Sequence, residues 1–139
     1  MKYRLLHGYK YELVDTVVVQ TEITGLEDIA TDYIVLWNNG KLFIKSRYAW
    51  DGASGPAFDT KTIMRGSLVH DALYQLMREG FINPRKKYRK YADELLRKIC
   101  LEDGMCKLRA NWVYWAVQSF AKRSSEPEKE PRGKIVTIE

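Results

Sequence analysis

The apolar pattern changes period once, near Thr60, and this change constrains the fold more than any other feature of the chain. Before it, β-branched and aromatic residues come in short runs separated by turn residues. After it, apolar residues recur at helical spacing. Strands followed by helices lead to an α+β class, predicted here as an N-terminal antiparallel β meander of three or four strands followed by three packed α-helices.

In the first half, Tyr11, Leu13, Val17, Val18, Val19 and Ile23 make residues 10–23 read as strand. A hairpin follows. Tyr33–Trp37 and Lys41–Lys45 flank Asn38-Asn39-Gly40, and Asn-Gly accepts the positive φ of a tight turn. Residues 47–60 have turn chemistry, with Asp-Gly, Ser-Gly and Gly-Pro in succession. Gly52 or Gly55 is expected at positive φ where strand turns into helix.

In the second half, Ile63, Ser67, His70, Tyr74 and Met77 share one helical face, and Gly80 provides a C-terminal cap. A second helix starts at Asn83-Pro84, carries the stripe Tyr88, Tyr91, Ala92, Leu95 and Ile99, and closes at Gly104. The short connection predicts an antiparallel pair. A third helix, Lys107–Lys122, has apolar residues all round (Leu108, Trp112, Val113, Trp115, Val117, Phe120) and is expected to be mostly buried. Residues 1–123 therefore read as a single α+β domain, and 124–139 as a polar linker with a short C-terminal strand or disordered tail.

Composition excludes several functions. No apolar run approaches the ~20 residues of a membrane span, and the N-terminus lacks the apolar core of a signal peptide. Cys100 and Cys106 match no zinc spacing or disulfide framework and are expected to pack as small apolar groups. A net charge of +5 does not imply specific nucleic-acid binding, and the basic run Arg85–Lys90 reads as a solvated helix face. P-loop, dinucleotide and serine-elbow motifs are absent.

The concentrated chemical signal is His70-Asp71 in mid-helix, with Tyr74 one turn on. An antiparallel partner brings Asp93 opposite His70, where its carboxylate orients the imidazole. His70 is then a base toward water, and Asp71 a ligand for a cation that stabilises an oxyanion. Further oxygens for that cation would come from the Asp51–Gly55 loop, and calcium is the ion such oxygens suit. The competing reading is a hydrogen-bonded pair that fixes helix packing.

Two resemblances bear on this choice. The strings WDGASGP, LVHDALY, Arg89 with ADELL, and WVYWAVQSFAK resemble an uncharacterised family encoded by phages and prophages, across roughly residues 43–122. That likeness implies a phage or prophage accessory protein, located in the host cytoplasm or the virion, with other phage proteins as partners; it implies no activity. The string HDALY also resembles the His-Asp-x-x-Tyr helix of secreted phospholipases A-two, which follows a calcium loop and precedes a helix bearing an Asp. By this likeness His70 is the base, Asp93 its partner and Tyr74 a supporting hydrogen bond. Asp71, Trp50, Gly52 and Ser54 would form the calcium site, and membrane lipid would be the substrate. The flanking cysteines and the glycine spacing of that family are missing here. Metal-dependent phosphohydrolases named for a His-Asp doublet need an upstream helical His, and the only other histidine, His7, precedes the strands. The functional expectation is a phospholipase-like hydrolase of an ester or lipid; the alternative is a non-enzymatic phage structural or accessory protein.

Overall fold

The computed structural model describes residues 1–6, 10–52 and 60–120. The order is β1 (Tyr3–Leu5), β2 (Tyr11–Leu13), β3 (Val17–Gln20), β4 (Ile29–Ala30), β5 (Ile34–Leu36), β6 (Lys41–Ile44), β7 (Ala49–Trp50), α1 (Lys61–Arg78), α2 (Arg85–Glu102) and α3 (Lys107–Phe120). This is the α+β class read from the period change.

The strands form two antiparallel sheets, ordered β1–β2–β7 and β3–β6–β5–β4, rather than one meander. The stretch 10–23 is therefore not one strand. It breaks at Val14–Thr16 and passes from the first sheet to the second. Leu13 stays in the first sheet, exchanging backbone hydrogen bonds with Tyr48 and Arg47, while Val17 pairs with Ile44 in the second. Alternation is clean in the larger sheet. Val19, Ile34, Leu36, Leu42 and Ile44 are buried, while Val18, Val35 and Phe43 lie on the opposite, more open face.

The hairpin lies where its Asn-Gly signal places it. Leu36 pairs with Leu42, and the Gly40 N–H donates to the Trp37 carbonyl. Gly40 has φ 89°, and a Cβ there would stand 2.3 Å from the Thr21 carbonyl oxygen. That oxygen belongs to backbone, so relief means moving a strand end. Gly40→Ala is expected to destabilise the domain by about 1–3 kcal/mol, read as a lowered urea midpoint with unchanged slope. An unchanged midpoint would show that the turn rearranges at no cost.

Thr60, extended and without a side-chain capping bond, precedes α1, and Gly80 and Gly104, both at positive φ, follow the ends of α1 and α2. The α1 and α2 helices run antiparallel: Arg65 meets Glu102 and Asp103, Gly66 meets Leu96 and Cys100, and His70 and Tyr74 meet Asp93. As the number rises along α1, its partner's falls along α2. At Gly66 the helices pack closely: a Cβ there would lie 2.8 Å from Leu96 Cδ1 and 3.3 Å from the Leu96 carbonyl oxygen.

Two expectations need correction. The α3 helix is not mostly buried: Ala110, Val113, Ala116 and Val117 face the core, but Leu108, Trp112 and Trp115 are exposed. Helical spacing shows that apolar residues encircle the axis, but not that protein surrounds it. Of the cysteines, Cys100 is buried and its thiol is pushed up to about 11 by desolvation, whereas Cys106 is exposed. Lys86, Lys87 and Lys90 of the basic run are exposed, as a solvated face requires.

Candidate functional site

Asp93 is at the centre of the polar cluster. Its Oδ1 lies 2.6 Å from His70 Nε2 and accepts the Tyr74 hydroxyl, also at 2.6 Å. An ionised carboxylate can only accept, so Nε2 carries its proton and points it at Asp93. In the neutral imidazole Nδ1 is then left with a lone pair. The Tyr74 ring stacks at a tilt on the imidazole, with centroids 4.1 Å apart. Tyr74 lies one turn beyond His70, so one carboxylate from α2 reaches both. The group is well sealed, with His70 5% and Asp93 1% exposed. Asp93 Oδ2 has no hydrogen-bond partner among the described residues.

On the other side of the imidazole, Nδ1 lies 3.9 Å from Asp71 Oδ1, and the Asp71 side chain is 26% exposed. Asp71 occupies a different stripe of α1, which faces the segment entering the glycine turn. That segment is pinned above and below Asp71. The Trp50 indole N–H donates to Ser67 Oγ, and the Tyr48 hydroxyl donates to Gln75 Oε1. Ser67 and Gln75 are one turn before and one turn after Asp71, so residues 48–50 cross its stripe.

The charges follow from this packing. Burial alone would lower the His70 pKa, but hydrogen bonding and attraction to Asp71 and Asp93 outweigh it, and the pKa lies above the usual 6.5. Asp71 is raised from 3.8, first by desolvation and also by the Asp51 carboxylate, against the lowering effect of His70. Burial, with Asp93 close by, raises Tyr74 as well, so it remains a hydroxyl donor throughout the physiological range.

The sequence-predicted residues divide accordingly. His70, Tyr74 and Asp93 are brought together, and Asp71 adjoins them. Trp50 is buried with its indole engaged, which leaves its backbone oxygen as its only donor suited to a cation. Gly52 has φ 79°, the turn conformation expected there. Ser54, Gly55 and His7 lie outside the described residues. Among the described residues, no three His, Cys, Asp or Glu side chains gather as a metal set. A cation at Asp71 would draw on that carboxylate and on Asp51, whose charge already acts on it, both oxygen donors of the hard type that calcium takes. Sequence reasoning missed the two pins, Tyr48–Gln75 and Trp50–Ser67, and gave Asp51 no carboxylate role. The i, i+4, i+8 spacing of Ser67, Asp71 and Gln75, a polar stripe on an otherwise apolar helix, was the available signal.

A helix pair joined by a buried His–Asp–Tyr group, with a partly open carboxylate beside it, defines an α+β domain with a candidate acid–base site. The chain belongs to the family described as protein of unknown function DUF1353, whose model matches residues 28–117. This span holds β4 to β7, α1, α2 and most of α3, and so every described residue of the site. No curated protein and no solved structure matches the chain. No helix among the described residues is long and apolar enough to cross a membrane.

Proposed function

We propose that this chain is a phage or prophage accessory hydrolase acting on an ester or lipid-like substrate, with calcium as its cofactor. The observation that carries this reading is the imidazole bound through Nε2 to a buried carboxylate, which leaves Nδ1 on the side of Asp71. Neutral His70 takes a proton from water at Nδ1 as the water oxygen bonds to the ester carbonyl carbon. The proton then passes to the leaving alkoxide as the carbon–oxygen bond breaks. Asp93 and Tyr74 hold the ring and its tautomer through both steps. Calcium, when bound at Asp71, supplies charge for the carbonyl oxygen as it becomes an oxyanion. The likeness of HDALY to the phospholipase A-two helix supports the lipid or ester class, and the run of phage-family motifs supports the setting.

One observation favours a second reading. At 5% exposure His70 is as sealed as a core residue, so the trio also suits a non-enzymatic accessory or structural protein in which it only fastens α1 to α2. Calcium-dependent melting separates the two. An ion bound only by the native state stabilises it by about 2.7 kcal/mol at a hundred times its dissociation constant, or several degrees in a domain of this size. Wild type is expected to melt several degrees higher in calcium than in chelator, and Asp71→Asn at the same temperature in both. A wild type indifferent to calcium, with Asp71→Asn markedly destabilised, would favour the structural reading instead.

A further inference from the structure

The outward face of α3 is a feature that the site leaves unexplained. Leu108, Trp112 and Trp115 are 83%, 47% and 73% exposed, and they follow one another at i, i+4 and i+7. The core-facing side (Ala110, Val113, Ala116, Val117) packs on the protein, so the stripe points away from the core. It rises about 10 Å along the axis at 1.5 Å per residue. Scattered exposed apolar residues need no explanation, but two tryptophans and a leucine aligned on one helix do.

Among the described residues, the charged side chains of α3 are cationic. The α3 helix contains Lys107 and Arg109 and no acidic residue. At about 100° per residue these two flank Leu108 on either side. Arg109 also donates to Thr60 at the start of α1, and Arg97 of α2 lies over the Tyr114 ring at 4.1 Å. At the end of α2, Glu102 and Asp103 are engaged by Arg65. A partner for this face must be apolar where the tryptophans meet it and anionic at the flanks. A bilayer with anionic headgroups presents that order of layers, and Trp is the side chain suited to its boundary.

From the outward Leu108–Trp112–Trp115 stripe beside the exposed Lys107, we infer that α3 is a membrane-surface docking helix, seated on anionic lipid without spanning it. This rests on and extends the proposed lipid-hydrolase reading, because it gives the enzyme a means of reaching an aggregated substrate. The face itself uses none of His70, Asp71, Tyr74 or Asp93.

The test mixes the full chain with phosphatidylglycerol vesicles and, separately, phosphatidylcholine vesicles, following co-sedimentation and tryptophan emission. Phosphatidylglycerol vesicles are expected to bind the protein and shift its emission to the blue, with weaker binding to phosphatidylcholine and loss of binding as salt rises. Trp112→Ser with Trp115→Ser is expected to weaken binding by at least about tenfold with an unchanged melt, since both side chains are exposed. His70→Gln is expected to bind vesicles like wild type, and the double Trp variant to hydrolyse a soluble short-chain ester like wild type. The two readings can thus fail separately. No vesicle binding, or binding unaffected by the double substitution, overturns the docking helix. So does a wild-type dimer that becomes monomeric in the double variant without vesicle binding, because a second copy of the chain would then occupy the face.

Discussion

Asp93→Ala is expected to cost the domain about 3–5 kcal/mol, the range found when one partner of a buried charged pair is removed. The figure is large because a single oxygen serves two neighbours. Without Asp93 Oδ1, the His70 Nε2 proton and the Tyr74 hydroxyl both lose their acceptor on the buried side of the imidazole. In a chain of this size the loss corresponds to a fall in Tm of roughly 10–17 °C. His70→Ala and Asp93→Ala should also be less than additive, by about 0.5–3 kcal/mol, because each deletes the same bond. A near-neutral Asp93→Ala would mean that the trio is solvated in solution, and the structural reading would lose its only observation.

The second large effect concerns rate. In the proposed reading, His70→Gln is expected to lower ester hydrolysis by about 10²–10⁴-fold, the usual contribution of a general base. Glutamine retains an N–H for Asp93 but has no basic nitrogen, so the fold should survive while proton transfer does not. The pH profile gives an independent readout. Because the His70 pKa lies above 6.5, the neutral base appears only as pH rises through that higher value, and wild-type rate should climb over this range. Stability should move the other way. A histidine whose folded pKa is raised stabilises the fold fully below its unfolded value, and that contribution fades as pH rises through the folded one. Rate and stability curves crossing in opposite senses above pH ~6.5 would tie both to one imidazole. Measured hydrolysis that is equal in wild type and His70→Gln would remove His70 as the base.

Local signals carried much of this architecture. The Asn-Gly turn, the switch of period at Thr60 and the glycines after α1 and α2 each act within a few residues, and each element lies where its signal points. The meeting of His70 and Asp93 was also legible, since a short connection and two apolar stripes leave an antiparallel helix pair little choice of register. What escaped were decisions made between distant segments. Nothing within residues 10–23 shows that Leu13 and Val17 join different sheets, because that depends on Tyr48 and Ile44. Tyr3–Leu5 became a strand by pairing with Tyr11–Leu13, although its own side chains remain exposed. The pins on either side of Asp71 join residues 17 and 27 positions apart. The exposure of Trp112 and Trp115 was illegible for a different reason: apolarity records what a side chain prefers, and a surface that awaits a partner has the same composition as one already covered.

The α1–α2 seam has a mechanical consequence. Apart from the close fit at Gly66, leucine, alanine and methionine contacts along two helices are forgiving, and a slip by one turn exchanges one apolar neighbour for another. The Asp93 carboxylate is not forgiving, because a slip of about 5.4 Å takes it out of reach of both His70 and Tyr74 at once. Nearer the start of α1, Arg65 grips Glu102 and Asp103 at the end of α2. With one catch in the middle of the seam and another toward its open end, the helices can neither slide nor pivot without releasing at least one. The pair is therefore held in one register by two catches, and Asp71 lies on the helix that contributes one partner to each.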